Sequence, residues 1–187
     1  GTSPPVAVIG IGQINRSGES TRGRDFVSSP DRFLNFISKE LLPIVHEKFA
    51  APDREFLDVT LLGHSSAANF SLWALFQDAP ALFRNVVAIS GEFTLYLHNL
   101  FEMAEAYHER APTETVCLFL GVGGAEETRF LSSFSRMVDT LDSMTDSNLV
   151  VGSQLFQLHH HGSVVSPGFA TGLTFVFSTE CYPPSAE

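Results

Sequence analysis

Basic residues are scarce in this chain. Eleven Lys and Arg stand against 21 Asp and Glu, a formal net charge of −10. That balance argues against a nucleic-acid partner, because phosphate binding needs a basic footprint. Long apolar runs are also missing. No stretch approaches the ~18 uncharged apolar residues that span a bilayer, so no membrane span is expected. Cysteine is nearly absent, with only Cys117 and Cys181. Two cysteines make no disulfide framework, and there is no C-x-x-C spacing for zinc. Cys117 lies in the apolar run VCLFLGV and reads as a buried core thiol, while Cys181 lies in the tail. No signal peptide is visible, but Pro4 and Pro5 stand directly before the first strand candidate, so the compartment stays open. Oligomeric state is equally open.

What is present suits one folded domain over residues 1–187. Hydrophobic residues make up 44% of the chain and Phe alone accounts for 17 positions, enough large side chains for a core. The first strand candidate is Val6–Ile11, a continuous apolar run of the kind buried on both faces. A polar stretch from Gly12 to Ser29 reads as a loop. A helix comes next, with Ser29 as cap and Pro30 at its first position. Its expected apolar face is Phe33, Phe36, Ile37, Leu41, Ile44 and Val45, and Pro43 should kink or end it near Leu41–Leu42. Further strands are expected at Leu57–Leu62, Asn85–Ser90, Thr115–Val122 and Leu149–Leu158. Helices are expected after Ser65, near Leu100–Glu109, from Thr128 to about Met144, and around Gly168–Phe177. Strands alternating with helices predict an α/β fold with a mostly parallel sheet and flanking helices.

The chemistry centres on Gly63-His64-Ser65-Ser66-Ala67, a G-x-S-x-[GA] pattern between a strand and a helix. A nucleophile on such a sharp turn sits in a strained backbone, so its neighbours must be small. Gly63 and Ala67 meet that need. The turn would lift the Ser65 hydroxyl clear of the sheet and put the Ser66 N–H at a helix N-terminus, as an oxyanion donor. The plainer alternative is that Ser65 merely caps the helix.

Serine needs a base, and in this arrangement the histidine comes last, after the final strand. His159, His160 and His161 stand there. His161, directly before Gly162, Ser163 and Val164, is the first choice, with the other two as alternatives. Three consecutive histidines cannot all face one ion from a strand, so a metal site is not expected. His64 is expected to point away from the site and to pack or hydrogen-bond at the sheet edge. An orienting acid should end the strand after the one that ends at Ser90. Glu126 is preferred there and Glu127 is the alternative. Both also suit the start of a helix, so neither is fixed.

These segments together resemble the putative-esterase family of α/β hydrolases, which includes the enterochelin and salmochelin esterases. The resemblance rests on VIGIGQ, then Thr21-Arg22-Gly23-Arg24-Asp25-Phe26, FLNFISKELLPIV, LLGHSSAANFSLWAL, Pro80-Ala81-Leu82-Phe83 with VVAIS, FLGVGGAEE, and His161-Gly162-Ser163-Val164. It implies an α/β-hydrolase fold, Ser65 as nucleophile, His161 as base, Glu126 as acid and Ser66 as oxyanion donor. Arg22, Arg24 and Asp25 match a family loop without an assigned role; an ion pair that pins the loop is the first reading, and binding of an acidic substrate is the alternative. Ala67-Ala68 replaces a common Gly-Gly. Gly91–Tyr96 replaces a stretch that often carries Pro-Ser and Trp, and is expected to line the acyl or leaving-group pocket. By the family pattern Val6–Ile11 is the fourth of eight strands, and the first strands are missing. The third normally separates it from the elbow strand, and the loop after it gives the second oxyanion N–H. The domain is therefore expected to be N-terminally incomplete, or to fill that slot with another segment.

The resulting expectation is a serine esterase that cleaves a small-molecule carboxylic ester through an acyl-serine intermediate, without metal or organic cofactor. An acyltransferase on the same residues is the enzymatic alternative, since the first half-reaction is identical. A non-catalytic binding domain is the other, and it gains weight if an oxyanion donor is absent.

Overall fold

The protein is described by a computed structural model over residues 6–12, 20–49, 58–77, 82–95, 99–144 and 148–182. Its centre is a sheet of four strands: β1 (Thr60–His64), β2 (Asn85–Ile89), β3 (Val116–Gly123) and β4 (Leu149–Phe156). All neighbours are parallel and the spatial order follows the chain order. Helices α1 (Pro30–Phe36) and α2 (Leu42–Phe49) precede the sheet. Helices α3 (Ser66–Leu75), α4 (Leu100–Glu109) and α5 (Thr128–Asp142) connect successive strands, and α6 (Val165–Val176) comes after the last one. No helix among the described residues is long and apolar enough to cross a membrane.

The continuous apolar strands are explained by two packed faces. Val86, Ala88, Val116, Leu118 and Leu120 join a core with Phe70, Leu72, Leu100 and Met137 from α3, α4 and α5. The alternate residues Val87, Ile89, Cys117 and Phe119 join a second core with Val176 of α6 and Cys181. Period-two alternation thus sends each strand's side chains to both layers. Three crossover helices on one face result from the one-handed connection of parallel strands, and α6 covers the other face. It approaches closely because Gly172 is small, as a Cβ there would overlap the Val87 side chain.

Four sequence expectations need correction. Val6–Ile11 forms no strand, and it is exposed, Val8 to 86%. An apolar run becomes a buried strand only beside a partner, and among the described residues β1 is a sheet edge with nothing paired outside it. Cys117 is not a free thiol, because it is bonded to Cys181 across 64 residues. That bond ties the chain after α6 to the start of β3. The α1–α2 face departs from its expected composition at Ile44. A π-helical turn at Ile37–Leu41 joins the two helices, close before Pro43, whose missing N–H disturbs the α-helical ladder. Phe33 and Phe36 pack on the core and Ile37 and Val45 are buried as expected, whereas Ile44 is 50% exposed and Leu42 packs against the core. Ser29 makes no side-chain cap bond, leaving Pro30 and Asp31 to define that start. The remaining elements lie close to their expected places, and the Gly12–Ser29 loop contains a π-helical turn at Arg24–Ser28. Parts of the expected Gly12–Ser29, Leu57–Leu62 and Gly91–Tyr96 segments lie outside the described residues.

Candidate active site

β1 ends at His64 and the chain turns at once into α3. Ser65, at the turn, has φ 61° and ψ −126°. A positive φ is costly for a residue with a Cβ and persists only where surrounding contacts fix it. Here the Ser65 N–H donates to the Ile89 carbonyl at 2.9 Å, while its own carbonyl accepts from the N–H groups of Ala68 and Asn69. Gly63 is needed for the same turn, since a Cβ there would run into the Ala67 carbonyl and the Ser71 hydroxyl. Ser66 is the first residue of α3, and among the described residues its N–H meets no acceptor. The Ser65 side chain makes no cap bond, so its role as a simple helix cap is not observed.

Glu126 lies just beyond β3, two residues past the start of its closing turn, and its side chain is fully buried. Its two oxygens are held separately. Oε1 accepts from the Ser90 hydroxyl at 2.5 Å and from the Gly123 N–H at 2.8 Å. Oε2 lies 2.7 Å from His161 Nδ1. A carboxylate can only accept, so His161 Nδ1 carries a proton, and in the neutral ring Nε2 keeps a lone pair. Glu127 instead points outward and pairs with Arg129 at 3.1 Å. Of the two candidate acids, only Glu126 meets the histidine.

His161 sits in the turn between β4 and α6, partly exposed. The Phe130 and His64 rings both lie 4.6 Å from its ring centre. His64 Nε2 donates to the His161 backbone carbonyl at 2.8 Å. This corrects the expectation that His64 points away from the site: it holds the turn that carries His161. Burial, then the neighbouring His161, push His64 below the ordinary histidine value, which keeps its ring neutral. The other two histidines serve the turn itself. His160 Nδ1 accepts from the Gly162 and Ser163 N–H groups, and His159 Nδ1 donates to the Ser163 carbonyl.

Ser65, Glu126 and His161 all line one open cavity of about 520 Å³. Glu92, Arg129 and Phe130 line it too. Glu92 comes from the Gly91–Tyr96 segment expected to border the pocket. Arg129 stands between two carboxylates, 3.5 Å from Glu92 and 3.1 Å from Glu127, and over the Phe130 ring. Arg24 and Asp25 form the expected ion pair, at 2.6 Å, and Arg22 is exposed beside them. Sequence reasoning missed Ser90, Gly123 and His64 as supports of the site. A positive φ at Ser90, 54°, has no sequence signature beyond the Gly91 after it.

Comparison with known proteins agrees with this arrangement at the level of fold and family. The BES protein from Bacillus cereus is similar with a TM-score of 0.74 and 22% identity, over 84% of this chain and 63% of that one. An IroE-like serine hydrolase from Shewanella oneidensis gives 0.73 and 19%, over 85% and 57%. The siderophore hydrolase EstA from Aspergillus nidulans gives 0.66 and 23%, over 78% and 56%. The chain thus spans roughly three-fifths of the length of these structures. They share the α/β-hydrolase architecture, whose first strands are absent from the described residues here. No curated protein sequence matches the chain. The family model described as putative esterase matches residues 2–145, and the chain belongs to that family.

Proposed function

We propose that this chain is a serine esterase acting on a small-molecule carboxylic ester. Ser65 Oγ attacks the ester carbonyl, and His161 Nε2 takes its proton as the new C–O bond forms. The Ser66 N–H stabilises the negative charge that develops on the carbonyl oxygen. The intermediate collapses with cleavage of the ester bond, and His161 returns the proton to the departing alkoxide. Water then attacks the acyl-serine through the same histidine, releasing the acid and restoring Ser65. Glu126 holds the imidazole in the tautomer this requires and stabilises its charged form.

One observation carries the reading. A fully buried carboxylate bonds Nδ1 of a histidine that lines the same cavity as a serine on a strained strand-to-helix turn. A structural histidine would need neither the buried acid nor the neighbouring strained serine. Family membership supports ester hydrolysis as the reaction class. Because a siderophore hydrolase is among the similar folds, siderophores belong in a substrate screen beside simple acyl esters. The test is labelling with a fluorophosphonate, with the adduct located by peptide mass spectrometry. The expected result is a single adduct on Ser65, lost in Ser65→Ala and strongly slowed in His161→Ala. A folded protein that takes no label overturns the reading.

A further inference from the structure

We propose that Ser90 is a positioning residue for this reaction, which fixes the Glu126 carboxylate so that Oε2 stays aligned with His161. The proposal rests on the serine-esterase reading. Ser90 comes directly after β2 and is 1% exposed. Its φ of 54° lies in the left-handed region, where glycine is at no disadvantage and serine is. If the backbone alone mattered, glycine would suit this position better. The hydroxyl is what glycine lacks, and it donates to Glu126 Oε1 at 2.5 Å.

The strained backbone is itself pinned. The Ser90 N–H donates to the Gly121 carbonyl at 2.7 Å, which anchors the end of β2 to the strand that leads to Glu126. Ser90 therefore reaches across the sheet end, and with the Gly123 N–H it saturates Oε1. With that oxygen held from two directions, the carboxylate plane cannot turn, and Oε2 is presented to His161 Nδ1. Without the hydroxyl, one lone pair of a buried carboxylate has no partner, and a single N–H remains as the pivot. Ser90 touches no reacting atom in this account, and it acts through Glu126.

The experiment uses the full chain, with p-nitrophenyl acetate as substrate and Ser90→Ala and Ser90→Gly as variants. The glycine variant relieves the backbone and keeps the fold testable if the alanine variant folds poorly. A hydrogen bond to a charged group contributes about 1.5–3 kcal/mol, which lost from the transition state alone corresponds to a rate lower by about tenfold or more. We expect kcat to fall by that factor in both variants with KM little changed. The short His161 Nδ1–Glu126 Oε2 contact is expected to give a low-field NMR proton signal in the wild type, and that signal should broaden or vanish in both variants. Wild-type kcat and an unchanged signal in Ser90→Gly, while Ser65 is still acylated, would overturn this proposal alone. No acylation of Ser65 in the wild-type chain would overturn the esterase reading itself. In that case the proton signal still decides whether Ser90 holds Glu126 on His161.

Discussion

Replacing Glu126 by glutamine exchanges one carboxylate oxygen for an amide nitrogen and should nearly abolish turnover. The carboxylate receives three donors: the Ser90 hydroxyl and Gly123 N–H on Oε1, and His161 Nδ1 on Oε2. A backbone N–H can only donate, so the glutamine carbonyl oxygen must stay at the Oε1 position. The amide NH2 then faces His161 Nδ1. Two donors cannot share that contact, so the ring keeps it only by moving its proton to Nε2. In that tautomer Nε2 has no lone pair for the Ser65 proton. An acid-to-amide change that traps the wrong tautomer in a Ser-His-acid triad costs about 10⁴ in kcat. The volume is unchanged and the pocket stays filled, so the fold should survive. The assay is p-nitrophenyl acetate hydrolysis, with Ser65→Ala as the background and circular dichroism melts as the folding control. A Glu126→Gln protein that works within tenfold of wild type would refute the reasoning, because His161 would then be oriented without the carboxylate.

Two further predictions concern stability. The Cys117–Cys181 bond closes a segment of 64 residues, and such a cross-link typically stabilises by about 2–4 kcal/mol. The Cys117→Ala/Cys181→Ala double variant should therefore melt several degrees lower, and wild type with a reductant should match it. Equal melting points for the oxidised wild type and the double variant would contradict the structure. His64 is held below its ordinary value of 6.5, by burial first and then by repulsion from His161. The unfolded chain accordingly takes up a proton at His64 that the folded chain resists, so stability is lost as the pH falls below 6.5. His64→Gln, whose amide can still donate to the His161 carbonyl, should flatten that fall. Urea unfolding at about pH 7.5 and 5.5 measures it, and an equal loss in both proteins would refute the assignment.

The placement of the candidate residues was largely legible because the parts obey local rules. A small residue on each side of Ser65, an apolar strand before it and a helix after it are all set within a few positions. Glu126 and His161 each lie just past the end of a strand, and parallel topology brings strand ends to one edge. What stayed hidden depends on distant contacts. Val6–Ile11 has the composition of a buried strand, but composition does not state whether a partner strand lies beside it. The helical period places Ile44 inward, but a π-helical turn lies between it and Phe36, and a period read from sequence does not register such a turn. The pairing of Cys117 with Cys181 results from α6 folding back over β3, which no spacing announces. Ser90 carries no motif at all, and its importance emerges only once its hydroxyl is seen on Glu126.

The proposed reaction stands or falls on a covalent acyl intermediate at Ser65. The most direct measurement is acid quench of the wild-type chain during turnover of p-nitrophenyl acetate, with intact and peptide mass spectrometry of the quenched protein. One added acetyl group is expected, located on Ser65, accumulating in the wild type and absent from Ser65→Ala. Acetyl on another residue, or turnover that persists in Ser65→Ala, would contradict that reaction.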